Sequence, residues 1–392
     1  MNGNQHNLWN IDDAIVSALQ GAMPDWTLTM VAGLIGIIGL LLFLVPSQLA
    51  TIWVERRLIG RFQVRFGPNR VGPFGLLQPI ADAVKILGKE SITPAGSDKW
   101  IFWLAPIVTF IPALLVFAVI PFGPDLILAN LNIGILYLIS ISSLSVIPVF
   151  MAGWSSNNKY ALLGAMRSVA QMVSYEIPLV LSVVSVILMT GSLRLTDMVE
   201  YQNNNLWLFL LQPLALVIFF ISASAELNRT PMDIVEGESE IIAGYHTEYS
   251  SFKFSMFYVA EYTNVLAVSA ILSSVFFGGW LSAPLFNVLP AWFWFILKIY
   301  FFFCIFVWTR ATLPRLRIDQ LMGLAWKFLL PLALINILVT GVEVYLGLHP
   351  LITMAINMTL AVALIAGWSE LIGHRAVTKE SREYIPTSPA VR

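Results

Sequence analysis

The residues best suited to chemistry form an acidic run between two apolar segments of the chain. Its six carboxylic acids are Glu226, Asp233, Glu236, Glu238, Glu240 and Glu248. If the run is helical, Asp233, Glu236 and Glu240 lie on one face of the helix, where like charges repel one another. In a low-dielectric setting this repulsion leaves some carboxyl groups protonated near neutral pH, and acids that share protons can relay them. The plainer interpretation of an acidic run is a solvated loop.

Further acids lie within the apolar segments themselves, and two of them are candidates for a functional role. Glu176 lies inside a long apolar segment, and Glu261 is near the start of another. A carboxyl group inside a membrane is costly unless it is paired, neutral or exposed to water, so it is a functional candidate by default. A satisfied structural carboxyl is the alternative for Glu176. We expect Glu226 and Glu261 to line one cavity at the end of the bundle that carries the acidic run.

The composition places these acids in a membrane protein. Of the 392 residues, 58% are hydrophobic and only 11% are charged, whereas soluble domains average about 25% charged residues. Apolar segments of about 20 residues predict an all-α, polytopic bundle of about nine membrane spans. The predicted spans are residues 28–53, 101–120, 133–153, 162–190, 206–225, 257–281, 292–309, 328–346 and 351–371.

The basic residues orient the predicted bundle. All but two of the 22 Lys and Arg residues fall in loops that nine alternating spans place on one side, the exceptions being Arg194 and Lys298. The positive-inside rule makes that side cytoplasmic or matrix, with the N-terminus outside and the C-terminus inside. The chain is thus predicted to be one integral membrane domain, 1–392. Its polar parts are an outer N-terminal segment (1–27), an inward loop (55–100), the acidic inward loop (226–254) and an inward tail (372–392).

The inward loop 55–100 carries a predicted surface helix. Apolar residues at helical spacing over 74–90 predict an amphipathic helix that lies in the membrane interface. Asp82 and Lys85 fall on its polar side, and an ion pair on the helix surface is the simplest interpretation of the two. A cluster further along the chain could pair with the acidic loop or dock a soluble partner. It consists of Arg310, Arg315, Arg317 and Asp319.

Several kinds of site are excluded within this chain. Cys304 is its single cysteine, so the chain alone cannot hold an iron–sulfur cluster, a CxxC pair or an internal disulfide. The four histidines lack the spacing of metal ligands, and no phosphate-binding motif is present. We therefore expect no metal, nucleotide, redox centre or catalytic residue in this chain alone, and a site that another chain completes.

Two long motifs resemble those of a known family. The first runs from Glu55-Arg56-Arg57 through Gly67-Pro68-Asn69 to Lys89-Glu90, and the second from Ala225-Glu226-Leu227-Asn228-Arg229-Thr230-Pro231 to Glu248-Tyr249. Shorter motifs agree: Ser174-Tyr175-Glu176, Ala260-Glu261-Tyr262-Thr263-Asn264 and Pro314-Arg315-Leu316-Arg317-Ile318-Asp319. They are similar to the motifs of the H subunit of respiratory complex I, also called NADH dehydrogenase subunit 1. One departure is Met232, where the family usually has Phe.

This resemblance implies a role in proton-translocating NADH:quinone oxidoreductase, at the elbow between its hydrophilic and membrane arms. The chain would supply much of the chamber for a quinone substrate, ubiquinone or menaquinone. The implied chamber residues are Arg56, Asp82, Lys85, Arg229 and Asp233. The implied carboxylates that couple quinone reduction to proton movement are Glu176, Glu226, Glu236, Glu238, Glu240, Glu248 and Glu261.

The resemblance also implies partners and a location. Electrons would come from an iron–sulfur subunit of the hydrophilic arm. That subunit and a quinone-site subunit of the same arm would both contact this chain. Its other neighbours would be antiporter-like or small membrane subunits and the lipid bilayer. No nucleic acid is expected to bind. A ninth span and a tail beyond the mitochondrial-type length favour a bacterial inner membrane over a mitochondrial one.

Two other functions fit parts of the sequence. Intramembrane carboxylates alone would suit a stand-alone ion or proton transporter, but the predicted docking surface argues against it. A homologous membrane subunit of a hydrogenase-type complex would never bind quinone. The intact first motif favours the quinone-binding alternative.

Overall fold

The computed structural model describes residues 25–124, 126–234, 243–282 and 289–383. Over these ranges the chain forms helices, turns and loops without a β-strand, which confirms the all-α class. In chain order the helices are α1 (Asp25–Phe62), α2 (Gln78–Leu87), α3 (Lys99–Leu115), α4 (Gly134–Leu144), α5 (Val146–Ser155), α6 (Lys159–Thr190), α7 (Leu195–Asn204), α8 (Leu208–Leu211), α9 (Pro213–Glu226), α10 (Ser251–Phe276), α11 (Ala291–Thr312), α12 (Ile318–Leu324), α13 (Leu330–Leu346) and α14 (Pro350–Glu383).

Seven helical segments of the described chain are long and apolar enough to cross a membrane. They are Gly33–Phe62, Lys99–Ala118, Gly134–Ser155, Lys159–Thr190, Ser251–Phe276, Ala291–Thr312 and Ile318–Leu346. These segments confirm a polytopic helical bundle. The two other predicted spans correspond to shorter apolar helices, Pro213–Glu226 and Pro350–Leu364.

The predicted span 206–225 is interrupted near its start. Helix α8 ends at Leu211, and Gln212 has non-helical backbone angles before α9 begins at Pro213. Proline lacks the backbone N–H that would continue the preceding helix, and its fixed φ suits the first position of a new one. The interruption also turns the side chain of Gln212 into the protein interior.

Helix α6 is the central element of the bundle, with α5, α9 and α13 packed along it. Its contact with α5 depends on Gly153, where an added Cβ would lie 2.2 Å from Ala165 Cβ. Its contact with the turn Gly244–His246 depends in the same way on Gly164, where an added Cβ would lie 2.6 Å from Gly244 Cα. Close backbone approach at Gly164 therefore places the end of the acidic loop directly on α6.

The predicted surface helix is present as α2, after a short 3-10 turn at Pro73–Gly75. Gly75 has a φ of +75°, and an added Cβ would lie 2.2 Å from Pro68 O, so the turn requires glycine. The side chains of Ile80, Val84 and Leu87 are exposed on this chain. The glycine-containing loop thus places α2 beside the C-terminal end of α1. The apolar side chains of α2 remain exposed there.

Lys298 of α11 stabilises the connection from α10 rather than extending into solvent. Its Nζ donates to three backbone oxygens, those of Phe277, Gly279 and Leu281, each at 2.8 Å. Backbone carbonyls at the end of a helix lack intrahelical partners, and a lysine is a suitable donor for them.

Candidate functional site

The centre of the site is a buried network that we call the arginine–carboxylate cluster, formed by Glu55, Arg229, Glu261 and Arg310. Glu55 Oε2 accepts a hydrogen bond of 2.8 Å from Arg229 Nη1, and its Oε1 accepts one from Arg310 Nη1. Arg229 Nε lies 3.3 Å from Glu261 Oε1. The side chains of Glu55 and Arg229 are 3% and 1% exposed. The cluster therefore connects α1, α10, α11 and the loop after α9 through a fully buried ion pair, Glu55–Arg229, and two partly buried partners, Glu261 and Arg310.

The charges of the cluster balance, because two arginines face two glutamates. Burial disfavours the charge of Arg229, but Glu55 and Glu261 outweigh burial and raise the pKa of Arg229 above its usual value. The ring of Tyr262 lies 4.9 Å from the guanidinium carbon of Arg229, a cation–π contact that favours the charged form further. Arg229 consequently remains a cation in the interior.

A glutamine on α6 positions the loop that carries Arg229. Gln171 is fully buried, and its Nε2 donates to Ala225 O and to Met232 O, each at 2.7 Å. The segment between these carbonyls is thereby held against α6. Met232 itself is buried in an apolar cluster with Tyr175 and Leu321. A flexible methionine fills such a space where the family usually has Phe.

Two carboxyl groups of the acidic set line a cavity beside the cluster. Glu226 and Glu261 both contribute to its wall, together with Asn228, His246 and Asn264. A second, more apolar cavity shares Glu226 and Asn264 with the first. The structure thus brings Glu226 and Glu261 to one cavity, as expected from their positions at the ends of two apolar segments.

Two serines of helix α4 lie beside the intramembrane acids Glu176 and Glu226. Glu176 accepts a hydrogen bond from Ser143 Oγ, whereas Ser142 donates its hydroxyl proton to the backbone oxygen of Ile139 and lines the second cavity with Glu226. Glu176 and Glu226 are close enough to repel each other electrostatically. Two adjacent serines of α4 therefore lie beside two acids that belong to different helices.

His246 belongs to this cavity, although the sequence alone presents it as an ordinary loop residue. Burial lowers the pKa of His246 to about 3, so its imidazole is neutral. The rings of Tyr245, Phe254 and Phe257 lie against it at centroid distances of 3.8, 5.6 and 5.2 Å. The signal that could have identified it is its position two residues before Glu248 within the second motif. Among the described residues, no three His, Cys, Asp or Glu side chains form a group that could hold a metal ion.

The acidic run itself is only partly described. Asp233 lies outside any helix and is 4% exposed. Its Oδ2 atom lies 3.1 Å from Arg315 Nη2. Glu248 Oε1 accepts a 2.7 Å hydrogen bond from Asn158, the residue that caps α6. Three further acids of the run, and with them the predicted helical face, lie outside the described residues: Glu236, Glu238 and Glu240.

The expected pair of Asp82 with Lys85 is not the main contact of Asp82. Its carboxylate accepts from Arg56 of α1 and from Gln78 Nε2 at 2.9 Å, whereas Lys85 is exposed. Burial opposes ionisation of Asp82, but the hydrogen bonds from Gln78 and Arg56 outweigh it and hold the pKa of Asp82 below its usual value. The ion pair therefore joins α1 to α2 instead of lying along α2.

The predicted docking residues divide between two environments. Arg310 belongs to the arginine–carboxylate cluster, and Arg315 pairs with Asp233. Arg317 and Asp319, at the start of α12, have exposed side chains. The sequence predicts that this cluster either pairs with the acidic loop or docks a partner; Arg315 does pair with Asp233 of that loop, whereas the partner of Arg310 is Glu55. Glu55 could have been found as the first charged residue after the first apolar segment.

The fold and this site define a polytopic helical membrane protein with a buried, charge-balanced network at one end of its bundle. Residues 35–341 match the family model described as NADH dehydrogenase. The H subunit of an NADH-quinone oxidoreductase from Dehalococcoides mccartyi is 54% identical over 345 residues, covering 88% of this chain and 95% of the relative. The corresponding protein of Carboxydothermus hydrogenoformans is 48% identical, covering 80% and 89%. That of Rickettsia africae is 52% identical, covering 75% of this chain and 88% of the relative.

The chain belongs to the NADH dehydrogenase family that comprises the H subunits of complex I. It is a membrane subunit of the NADH–quinone oxidoreductase enzyme.

Proposed function

We propose that this chain forms part of the quinone chamber of a proton-translocating complex I and transmits the charge changes of quinone reduction to intramembrane carboxyl groups. The observation that carries the proposal is the position of Arg229. It contacts Glu55 on one side and Glu261 on the other, and Glu261 lines the cavity that also holds Glu226. A change of charge near Arg229 or Arg310 therefore acts on the cavity through direct ion pairs.

The proposed chamber lies between α2 and the loop after α9. Its polar residues are Arg56, Asp82, Lys85, Arg229 and Asp233. The apolar side chains that α2 leaves exposed, among them Ile80 and Val84, suit the isoprenoid tail of a quinone, because covering apolar surface is favourable. A second protein of the hydrophilic arm is expected to complete the chamber.

Reduction of a quinone to a quinol takes up two electrons and two protons, with the electrons supplied by an iron–sulfur subunit. Negative charge near the cluster attracts its arginines and weakens their hold on Glu55 and Glu261. A carboxylate that loses part of its cationic partner binds a proton more tightly. Glu261 then takes up a proton beside Glu226. The proposed path from there to Glu176 runs by way of Ser142, which lines the second cavity with Glu226, and Ser143, whose hydroxyl contacts Glu176. Glu236, Glu238, Glu240 and Glu248 are proposed to supply protons from the same end.

We place the protein in a bacterial inner membrane with the end that carries α2 and α12 facing the cytoplasm. The iron–sulfur and quinone-site subunits of the hydrophilic arm dock at that end, and small or antiporter-like membrane subunits lie alongside. Close relatives named as quinone oxidoreductase subunits favour this function over that of a hydrogenase component or a lone transporter.

The test uses the intact complex in inverted membrane vesicles, with quinone reduction and proton uptake measured together. Glu261→Gln and Glu226→Gln keep the size of each side chain and remove its charge. We expect each variant to assemble and to lose at least about tenfold in coupled turnover, which corresponds to about 1.4 kcal/mol. Glu200→Gln is the matched control, because Glu200 is exposed on α7 at the other end of the bundle. Wild-type rates of both reactions in the two variants would contradict the coupling role.

A further inference from the structure

A second buried polar cluster lies at the end of the bundle opposite the arginine–carboxylate cluster. It joins three helices and consists of Gln212, Asn336, Thr340, Glu343 and Asn357, all nearly inaccessible to solvent. Gln212 precedes the first residue of α9, whereas Arg229 follows its last. The 14 residues of α9 separate the two clusters by about 20 Å. The second cluster is therefore distinct from the proposed quinone-coupled site.

Hydrogen bonds connect the members of this cluster. Asn336, Thr340 and Glu343 share one face of α13 at intervals of four and three residues. Gln212 Nε2 donates to Thr340 Oγ1 at 2.9 Å, and Asn336 Nδ2 donates to Gln212 Oε1 at 3.1 Å. Asn357 Nδ2 of α14 donates to Glu343 Oε2 at 2.9 Å. The Glu343–Asn357 contact is thus a polar link between α13 and α14.

Three oxygen atoms of the cluster have no donor. Glu343 Oε1, Asn357 Oδ1 and Asn336 Oδ1 are buried and have no hydrogen-bond partner among the described residues. Buried polar atoms without partners are uncommon in folded proteins and indicate a missing donor. Here all three are acceptors, so the missing ligand is a donor or a cation.

Within the described ranges, no cationic side chain is positioned to supply that donor. The titratable residues of α6 fall between Lys159 and Glu176, in the half that is next to the arginine–carboxylate cluster. Helix α9 has only Glu226, at its distant end, while α8 and residues Pro350–Leu364 have none. Lys327 lies in the π turn before α13, at the distant end of that helix. Tyr345 and His349, near the end of α13, are exposed.

We propose that Glu343 is a proton-binding site, and that its carboxyl group is neutral in the folded protein. An ionised carboxylate buried without a cationic partner is strongly disfavoured, and the usual outcome is that it takes up a proton. A proton on Oε1 accounts for two of the three oxygens, because it turns Oε1 into a donor and gives one neighbouring acceptor a partner. Asn357 Oδ1 is the natural acceptor, because it belongs to the amide whose Nδ2 already donates to Oε2. The ligand is thus a proton, held between two helices at the end of the bundle remote from the acidic loop.

The test is isotope-edited infrared spectroscopy of the intact complex, titrated from acid to alkaline pH. Wild type is compared with Glu343→Gln and with the exposed-residue control Glu200→Gln. Glutamine resembles a protonated glutamic acid, since its amide donates to Asn357 Oδ1 and accepts from Nδ2 in turn. We expect a carbonyl band of a buried, protonated carboxylic acid near neutral pH. This band should be lost in Glu343→Gln, kept in Glu200→Gln and unchanged when sodium is replaced by potassium.

Three results would overturn the proposal. The first is a spectrum near neutral pH in which Glu343→Gln removes no carboxylic-acid band. The second is a carboxylate band of Glu343 that shifts when sodium is removed, which would make the cluster a metal-cation site. The third is failure of Glu343→Gln to assemble while Glu200→Gln assembles, because a mimic of the neutral form should be tolerated.

Discussion

Arg229 shows how one side chain can determine the properties of the whole site. It contacts a carboxylate of α1, a carboxylate of α10 and the ring of Tyr262. A guanidinium group suits this position because its donors form a planar fork and its charge persists when it is buried. Removing it leaves the buried Glu55 carboxylate with one arginine, Arg310, instead of two.

Replacing Arg229 by methionine tests this at the residue scale. Breaking a buried ion pair by removing one partner costs about 3–5 kcal/mol, so Arg229→Met should assemble poorly and denature at a lower temperature. Thermal denaturation of the purified complex measures the effect. Glu200→Gln, at an exposed position on the opposite end of the bundle, is the control and should behave as wild type.

A double variant separates charge imbalance from lost packing in that experiment. Glu55→Gln combined with Arg229→Met removes both members of the pair, so it should be less destabilising than Arg229→Met alone. Additive losses in the double variant would show that the pair does not interact energetically.

At the scale of elements, α2 is held to α1 by a small number of polar contacts. Arg56 pairs with Asp82, and Trp53 Nε1 donates to Phe74 O at 3.2 Å. The side chain of Arg57 lies over the rings of both Trp53 and Phe74, with its guanidinium carbon 5.1 and 5.6 Å from their centroids. Since Ser251 also donates to Ile86 O at the other end of α2, we expect ionisation of Asp82 to control how firmly α2 is held to α1.

The pH dependence of this contact follows from the lowered pKa of Asp82. A carboxyl group whose pKa is lower in the folded state stabilises that state fully above its ordinary value, about 3.9, and the stabilisation is lost as the pH falls through the lowered pKa. A nitroxide on Val84→Cys, in a Cys304→Ser background, should therefore be restrained near neutral pH and become mobile on acidification. In Asp82→Asn the label should be mobile throughout. A label whose mobility in that variant still depends on pH would assign the change to another group.

At the scale of the whole molecule, the sequence predicts the helices much better than it predicts their partners. Apolar length and the position of basic residues are local properties, and they predicted seven of the spans and the loop that carries α2. The pairing of Glu55 with Arg310 joins residues 255 positions apart, and no local pattern encodes it. The same holds for Gln171, whose two acceptors are 54 and 61 positions away along the chain. Tertiary packing decides which polar groups meet, so such pairs emerge only from the fold.

The end of the molecule that carries α2 and α12 is where we expect the hydrophilic arm to dock. Arg317 is exposed there and makes no ion pair among the described residues, so it is available to an acidic surface of a partner. Arg317→Glu should leave this protein folded but release the hydrophilic arm at a lower salt concentration than wild type, because charge pairs across an interface weaken as salt screens them. Sedimentation of the detergent-solubilised complex over a salt series measures this release. Glu200→Lys reverses an exposed charge at the opposite end and should not change the salt concentration at which the arm separates. Equal release in wild type and Arg317→Glu would place the electrostatic contact elsewhere on this end of the bundle.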